Sequence, residues 1–207
     1  EERLPSEISV SESRYVNFFV KKLSEISNLT VYDPTDDFRK LTNYEGLLYY
    51  RTDTHWNDKG AFFFFYNLMS KLSFNTPNVS FSLDNSVKGD LIEISDLSDF
   101  PLMNDDTWAA SIDYSYELLR IENTNFVISE TFGKQETVIN SNPLVDKIVW
   151  VVGDSFTTAL KPYFESTFRE VKYLGHWRQV LPNLASILED VSEKPDLVVV
   201  VRVERSF

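Results

Sequence analysis

The chain of 207 residues has only two histidines, His55 and His176, so each is worth weighing as an imidazole base. His55 lies in Thr52-Asp53-Thr54-His55-Trp56. In an extended segment residues i and i+2 project to the same side, so the Asp53 carboxylate can reach the His55 ring from within one short loop. Imidazole is the side chain best suited to proton transfer near neutral pH, and a neighbouring carboxylate fixes its tautomer. The same pair also fits a metal-binding Asp-x-His or an incidental surface loop, although no third ligand is apparent nearby. Ser155 lies in Gly153-Asp154-Ser155-Phe156, directly after an apolar run. A serine on a tight bend at a strand end has reach toward a carbonyl, and its own backbone N–H can serve a developing oxyanion. The alternative is a helix cap, since Asp and Ser both cap well. His176, in Leu174-Gly175-His176-Trp177-Arg178, has no carboxylate in the residues that follow and is the reserve base.

These residues need elements to hold them. Lys147 to Val152 (KIVWVV) is a continuous apolar run, as expected of a strand covered on both faces. After Ser155 the pattern predicts a short helix cut near Pro162, a strand over Glu170–Gly175, and a helix marked by Leu181, Leu184, Leu188 and Val191 with Pro182 in its first turn. Asp196–Val203 (DLVVVVRV) then closes the sheet. Strand, helix, strand, helix, strand signals a doubly wound α/β layer fold. Upstream, residues 12–26 have helical spacing, Leu29–Asp33 and Leu47–Tyr50 are strand-prone, and 58–73 predicts a helix capped by Asn57 or Asp58. The Phe62–Phe65 run makes that helix apolar nearly all round, hence buried between layers. From about 74 to 146 the pattern is irregular, with short strands expected near 112–121 and 126–130. The expectation is one domain over 1–207 with this stretch as an insertion.

Bulk properties narrow the function. Hydrophobic residues make up 43% and charged residues 25%, a globular composition. A net charge of −12 repels phosphate backbones, so nucleic acid is not an expected partner. The same field disfavours a long polyanionic polysaccharide. With no cysteine there is no disulfide, thiolate metal site or cysteine nucleophile. No apolar stretch approaches the roughly 18–20 residues that cross a bilayer. The opening Glu1-Glu2-Arg3-Leu4-Pro5 reads like the interior of a longer protein.

Several blocks, in order, carry a family resemblance. Tyr50-Arg51-Thr52-Asp53-Thr54-His55-Trp56-Asn57, then Lys59-Gly60-Ala61, then Lys88-Gly89-Asp90-Leu91, then Gly153-Asp154-Ser155-Phe156, with Glu204 and Arg205 near the end, resemble the SGNH-hydrolase-like O-acetyltransferases of the alginate acetylation type. Relatives of that family modify cellulose and other exopolysaccharides. The resemblance implies an SGNH-like three-layer α/β sandwich with a mostly parallel sheet. It implies Ser155 as nucleophile, His55 as general base and acid, and Asp53 as the residue orienting His55. The Ser155 backbone N–H would be one oxyanion donor. The Gly and Asn blocks that complete the oxyanion hole in ordinary SGNH enzymes are not identifiable, so the second donor is unassigned. Trp56 and Arg51 are the candidate substrate contacts, although Trp56 can equally be read as packing beneath the loop, and neither a metal nor another cofactor is expected. The implied activity moves an acetyl group through an acyl-serine to hydroxyls of a cell-surface or exported polysaccharide. The partners would be that acceptor, an acyl donor and a membrane-bound acyltransferase, and the place extracytoplasmic, within a membrane-anchored protein. The alternatives are an acetyl esterase with the same triad, a non-catalytic carbohydrate-binding domain, or a metal hydrolase built on Asp53 and His55.

Overall fold

The computed structural model describes residues 14–84, 89–95, 107–113, 116–122 and 135–203. In chain order these form α1 (Tyr15–Ser24), α2 (Thr35–Glu45), α3 (Asp58–Lys71), β1 (Val79–Asp84), α4 (Asp90–Ile94), β2 (Thr107–Ile112), β3 (Leu118–Glu122) and β4 (Glu136–Asn140). There follow β5 (Val145–Gly153), a 3-10 turn over Ser155–Leu160, α5 (Lys161–Thr167), β6 (Phe168–His176), α6 (Trp177–Asp190) and β7 (Leu197–Val200).

The apolar run is β5, and it sits inside a five-stranded sheet of order β3-β4-β6-β5-β7. It pairs in parallel with β6 on one side and β7 on the other. β4 runs antiparallel to β6 and β3 antiparallel to β4, so four of the five strands point the same way. Successive β5 side chains enter opposite layers, as strand geometry requires. Val149 and Val151 join Phe65, Leu160, Tyr163 and Phe164 on the face covered by α3 and α5. Ile148, Trp150 and Val152 join Trp177, Val180 and Ile187 of α6 on the other. Burying each such side chain contributes about 1.5–3 kcal/mol, and β5 does so in both directions. This is the expected three-layer α/β fold with a mostly parallel sheet.

The connections place the site. From β5 the chain crosses one face through α5 to β6, then crosses the other through α6 to reach β7 on the far side of β5. The winding therefore reverses at the carboxyl end of β5, where open α/β sheets form their crevice. Ser155 is two residues beyond the end of that strand.

Several local expectations change. Leu29–Asp33 forms no strand, and Leu47–Tyr50 is reduced to a bridge between Tyr49 and Trp56. Thr35–Glu45 is a further helix, and its Phe38 and Leu41, one turn apart, pack on the core. Pro182 is the sixth residue of α6, not in its first turn; it is exposed, so the bond it cannot make faces solvent. The buried stripe of α6 is Trp177, Val180 and Ile187, with Leu181 exposed. The 74–146 stretch divides: β1 and β2 form a separate antiparallel ribbon, whereas β3 and β4 are built into the main sheet. The strand expected near 126–130 lies outside the described residues. The aromatic run of α3 is half as enclosed as expected: Phe64 and Phe65 are buried, Phe62 and Phe63 only partly so, with the Phe62 ring 5.6 Å from Phe81 of β1 and 5.5 Å from Tyr163, and Phe65 5.1 Å from Phe164.

Candidate functional site

Where β5 ends, Asp154 organises the turn. One carboxylate oxygen accepts the Phe156 N–H at 3.1 Å and the other accepts the Val203 N–H at 3.2 Å. Its carbonyl accepts from the Thr157 N–H at 3.0 Å and the Thr157 hydroxyl at 2.6 Å. Asp154 is thus the cap, and the Ser155 hydroxyl is left exposed and free of that duty. The Ser155 N–H has no acceptor among the described residues. Gly153 permits the fold-back, because a Cβ there would stand 2.2 Å from the Thr157 methyl and 3.2 Å from the Val201 carbonyl oxygen.

The histidine arrives from a loop pinned at both ends. The Tyr50 N–H donates to the His55 carbonyl at 3.2 Å, and the Asn57 N–H to the Leu48 carbonyl at 3.0 Å. Asn57 also caps α3 through Gly60 N–H at 2.9 Å and donates to Leu47 at 2.8 Å. Its Ncap role matches one of the two expected from sequence. Between these anchors, His55 Nδ1 stands 2.6 Å from Asp53 Oδ1 and Nε2 stands 2.6 Å from Ser155 Oγ. Asp53, His55 and Ser155, the last two 100 positions apart, are in one hydrogen-bonded line. With the ring proton on Nδ1 facing the carboxylate, Nε2 is the acceptor facing the serine hydroxyl.

Asp53 is kept ionised. Partial burial pushes its pKa up, but bonds from the His55 ring, the Asp90 N–H and the His55 N–H outweigh this and hold it below the ordinary carboxylate value. The His55 N–H donates to Oδ1 at 2.9 Å and the Asp90 N–H to Oδ2 at 3.1 Å.

Trp56 does not face substrate. It is only 4% exposed, with its ring 5.0 Å from Phe64 and 5.2 Å from Phe156, and its Nε1–H donates to the Phe156 carbonyl at 3.1 Å. Of its two readings, packing beneath the loop is the one found and the sugar contact is corrected: this indole ties the histidine loop to the serine turn. Arg51 is exposed on the same loop. His176 closes β6 and caps α6, its Nδ1 accepting the Arg178 N–H at 3.2 Å, which gives it a structural role. Glu204, Arg205 and Lys88 lie outside the described residues.

Sequence reasoning left Gly89 and Asp90 without a role, though both stand in one of the resembling blocks. The Asp90 carboxylate accepts the Thr54 N–H at 2.9 Å and the Thr54 hydroxyl at 2.7 Å, bracing the loop from its outer side. A Cβ on Gly89 would lie 2.2 Å from the Thr52 carbonyl oxygen and 2.6 Å from the Asp53 Cβ, so only glycine admits this approach. The sequence offers no third ligand near Asp53 and His55, but in space Asp90 is one. Donor atoms of the three lie within 4.8 Å of one another, a spacing that could hold a metal ion. All four carboxylate oxygens already accept hydrogen bonds within the loop.

No protein-family model and no curated protein sequence matches the chain. Solved structures do resemble it. A DHHW family protein from Eubacterium siraeum aligns over 86% of this chain and 66% of its own, with a TM-score of 0.61 at 14% identity. Bacillus cereus PatB1 aligns over 99% and 78%, with a TM-score of 0.61 at 15% identity, and has also been solved with a sulfonyl adduct. The O-acetyltransferase domain of Pseudomonas putida AlgJ aligns over 92% and 64%, with a TM-score of 0.54 at 18% identity. This chain thus spans slightly under two thirds of two of these structures. At such identities the shared property is the fold, an α/β sandwich around a five-stranded, mostly parallel sheet.

Proposed function

We propose that this chain is a serine-dependent O-acyltransferase that moves an acetyl group to hydroxyls of an extracytoplasmic polysaccharide. The observation that carries the reading is the unbroken line from the Asp53 carboxylate through both nitrogens of His55 to the exposed Ser155 hydroxyl. In this mechanism His55 Nε2 takes the Ser155 proton as Oγ attacks the donor's acyl carbonyl. The tetrahedral intermediate collapses, and His55 returns the proton to the departing group, leaving an acyl-serine ester. A sugar hydroxyl then replaces the leaving group, loses its proton to His55 and attacks the acyl carbonyl; the bond to Ser155 Oγ breaks, and His55 gives that proton to Oγ, which restores the free serine. Such acid–base assistance contributes about 10²–10⁴-fold. The Ser155 N–H is positioned as one oxyanion donor, and loss of such a donor typically costs about 100–1,000-fold in rate.

The fold shared with an O-acetyltransferase domain supports this assignment over a binding module. The net charge of −12 supports a neutral acceptor over a polyanion. Arg51, exposed beside the triad, is the candidate acceptor contact. A membrane-bound acyltransferase would supply acyl groups. Among the described residues no helix is long and apolar enough to cross a membrane.

The test is incubation with a chromogenic acetyl ester, with and without a neutral polysaccharide. Ser155-dependent release that speeds up with acceptor, together with acetyl on the polymer, is expected. Ser155-dependent release with water as the only acceptor would make the protein an esterase. Turnover abolished by a chelator and retained by Ser155→Ala would overturn the reading in favour of a metal hydrolase.

A further inference from the structure

We propose that Asp90 is a positioning residue for this triad: its carboxylate braces the Asp53–His55 loop and its backbone N–H fixes the Asp53 carboxylate against the imidazole. The inference rests on the proposed acyl transfer but concerns a residue outside the three that perform it. Asp90 acts through three contacts. Its side chain takes both donors of Thr54, the residue lying between Asp53 and His55. Its backbone N–H donates to Asp53 Oδ2, fixing the carboxylate rotation that presents Oδ1 to the ring. Its Oδ2 stands 4.0 Å from His55 Nδ1, behind the Asp53 oxygen at 2.6 Å.

Neighbouring bonds hold Asp90 in place. The Gly89 N–H donates to the Thr52 hydroxyl at 3.1 Å and the Leu91 N–H to the Thr52 carbonyl at 3.0 Å. The Gly89–Leu91 backbone therefore runs along the loop, and the missing Cβ of Gly89 lets it close. Thr52 is 2% exposed, so this seam excludes water. Among the described residues, the charged groups in contact with His55 are Asp53 from its own loop and Asp90 from α4. The turn after β5 contributes only the neutral Ser155 hydroxyl and the Phe156 ring, 4.9 Å from the imidazole.

Paired variants test the brace. With p-nitrophenyl acetate as probe, Asp90→Ala is expected to lower kcat by about 10–100-fold through misplacement of the ring, with KM within twofold of the parent. Asp90→Asn keeps the shape and can still accept the Thr54 N–H, so it is expected to recover most of that loss. Thr54→Val removes half of the brace and is expected to lower kcat by a smaller factor, again with KM unmoved. A kcat within twofold of the parent in Asp90→Ala would overturn the proposal. Peptide mass after the same probe reads acetylation of Ser155 directly: a parent that acetylates Ser155 no faster than Asp90→Ala sinks the brace and leaves the acyl-transfer reading standing. Should Asp90→Ala fail to fold, Thr54→Val decides alone: unchanged kcat sinks the brace.

Discussion

Two polar clusters lie on this sheet, and they are built on opposite rules. Around β3, β4 and α5, Arg120 pairs with Glu136 at 2.7 Å and with Glu165 at 2.5 Å and 3.2 Å, while Lys161 holds the second oxygen of Glu136 at 2.7 Å. The Tyr173 hydroxyl completes Glu165 at 3.2 Å. Two cations face two carboxylates, and each carboxylate oxygen has a partner. At the rim beyond β5 two carboxylates face one imidazole, and among the described residues no lysine or arginine is ion-paired with either. There the chain of bonds ends on an exposed hydroxyl beside an N–H with no protein acceptor. A closed, charge-balanced cluster stabilises a fold. A cluster with an open end and unbalanced charge has capacity left for a substrate.

Substitutions should separate the two clusters, and the largest effect belongs to the open one. Ser155→Ala should lower ester turnover by about 10³–10⁶-fold, as loss of a nucleophile acting in concert with its base does. Its melting temperature should match the parent, because the hydroxyl is exposed and caps nothing. Turnover that survives would erase the distinction. In the closed cluster the pattern inverts. Arg120→Ala strands the nearly buried Glu165 and should cost about 3 kcal/mol by urea denaturation, the low end for a broken buried pair because Arg120 is itself half exposed. Turnover per folded molecule should not change.

Gly89→Ala sharpens the contrast at the seam. The added Cβ forces the backbone away from Thr52 and should cost about 2 kcal/mol in stability, with a larger proportional loss of turnover. Equal losses would mean that Gly89 serves packing alone.

The smallest effect concerns acid. Burial raises the Glu136 pKa, but Lys161 and Arg120 more than offset this and leave it below its ordinary 4.5. The folded protein therefore holds this carboxylate ionised more firmly than the unfolded chain. The resulting stability is full above pH 4.5 and is lost as pH falls through the depressed value. Glu165 acts in the opposite sense, since burial outweighs Arg120 and raises it: its ionised form costs stability as pH rises through that value. Thermal melts between pH 3 and 6, roughly the window around these carboxylates, should show a flatter acid fall for Glu136→Gln than for the parent. A parallel curve would remove Glu136 from the balance.

The sequence makes the open cluster far more legible than the closed one. Ser155 follows the most apolar strand of the chain, and Asp53 and His55 lie two residues apart, so local rules of strand ends and side-chain alternation reach all three. Asp90 is 36 positions from Thr54, and only proximity in space explains it. Arg120, Glu136 and Glu165 come from three separate elements with no shared motif, and nothing local tells which sheet the short strands β3 (LLRIE) and β4 (ETVIN) join. The helix α2 is legible in principle: in TDDFRKLTNYE, Phe38, Leu41 and Tyr44 recur at three-residue spacing, a helical period diluted by the polar residues between them. Trp56 is a case that sequence leaves open: a large aromatic beside a site residue can stack on a sugar or pack beneath its loop, and burial decides for packing.

Trapping the covalent intermediate tests the central claim most directly. After brief exposure to p-nitrophenyl acetate and acid quench, peptide mass spectrometry should find one acetyl group on the peptide containing Ser155, absent in His55→Ala. Steady ester turnover with Ser155 unmodified at every quench time, or an acetyl group on another residue that turns over at the catalytic rate, would contradict it.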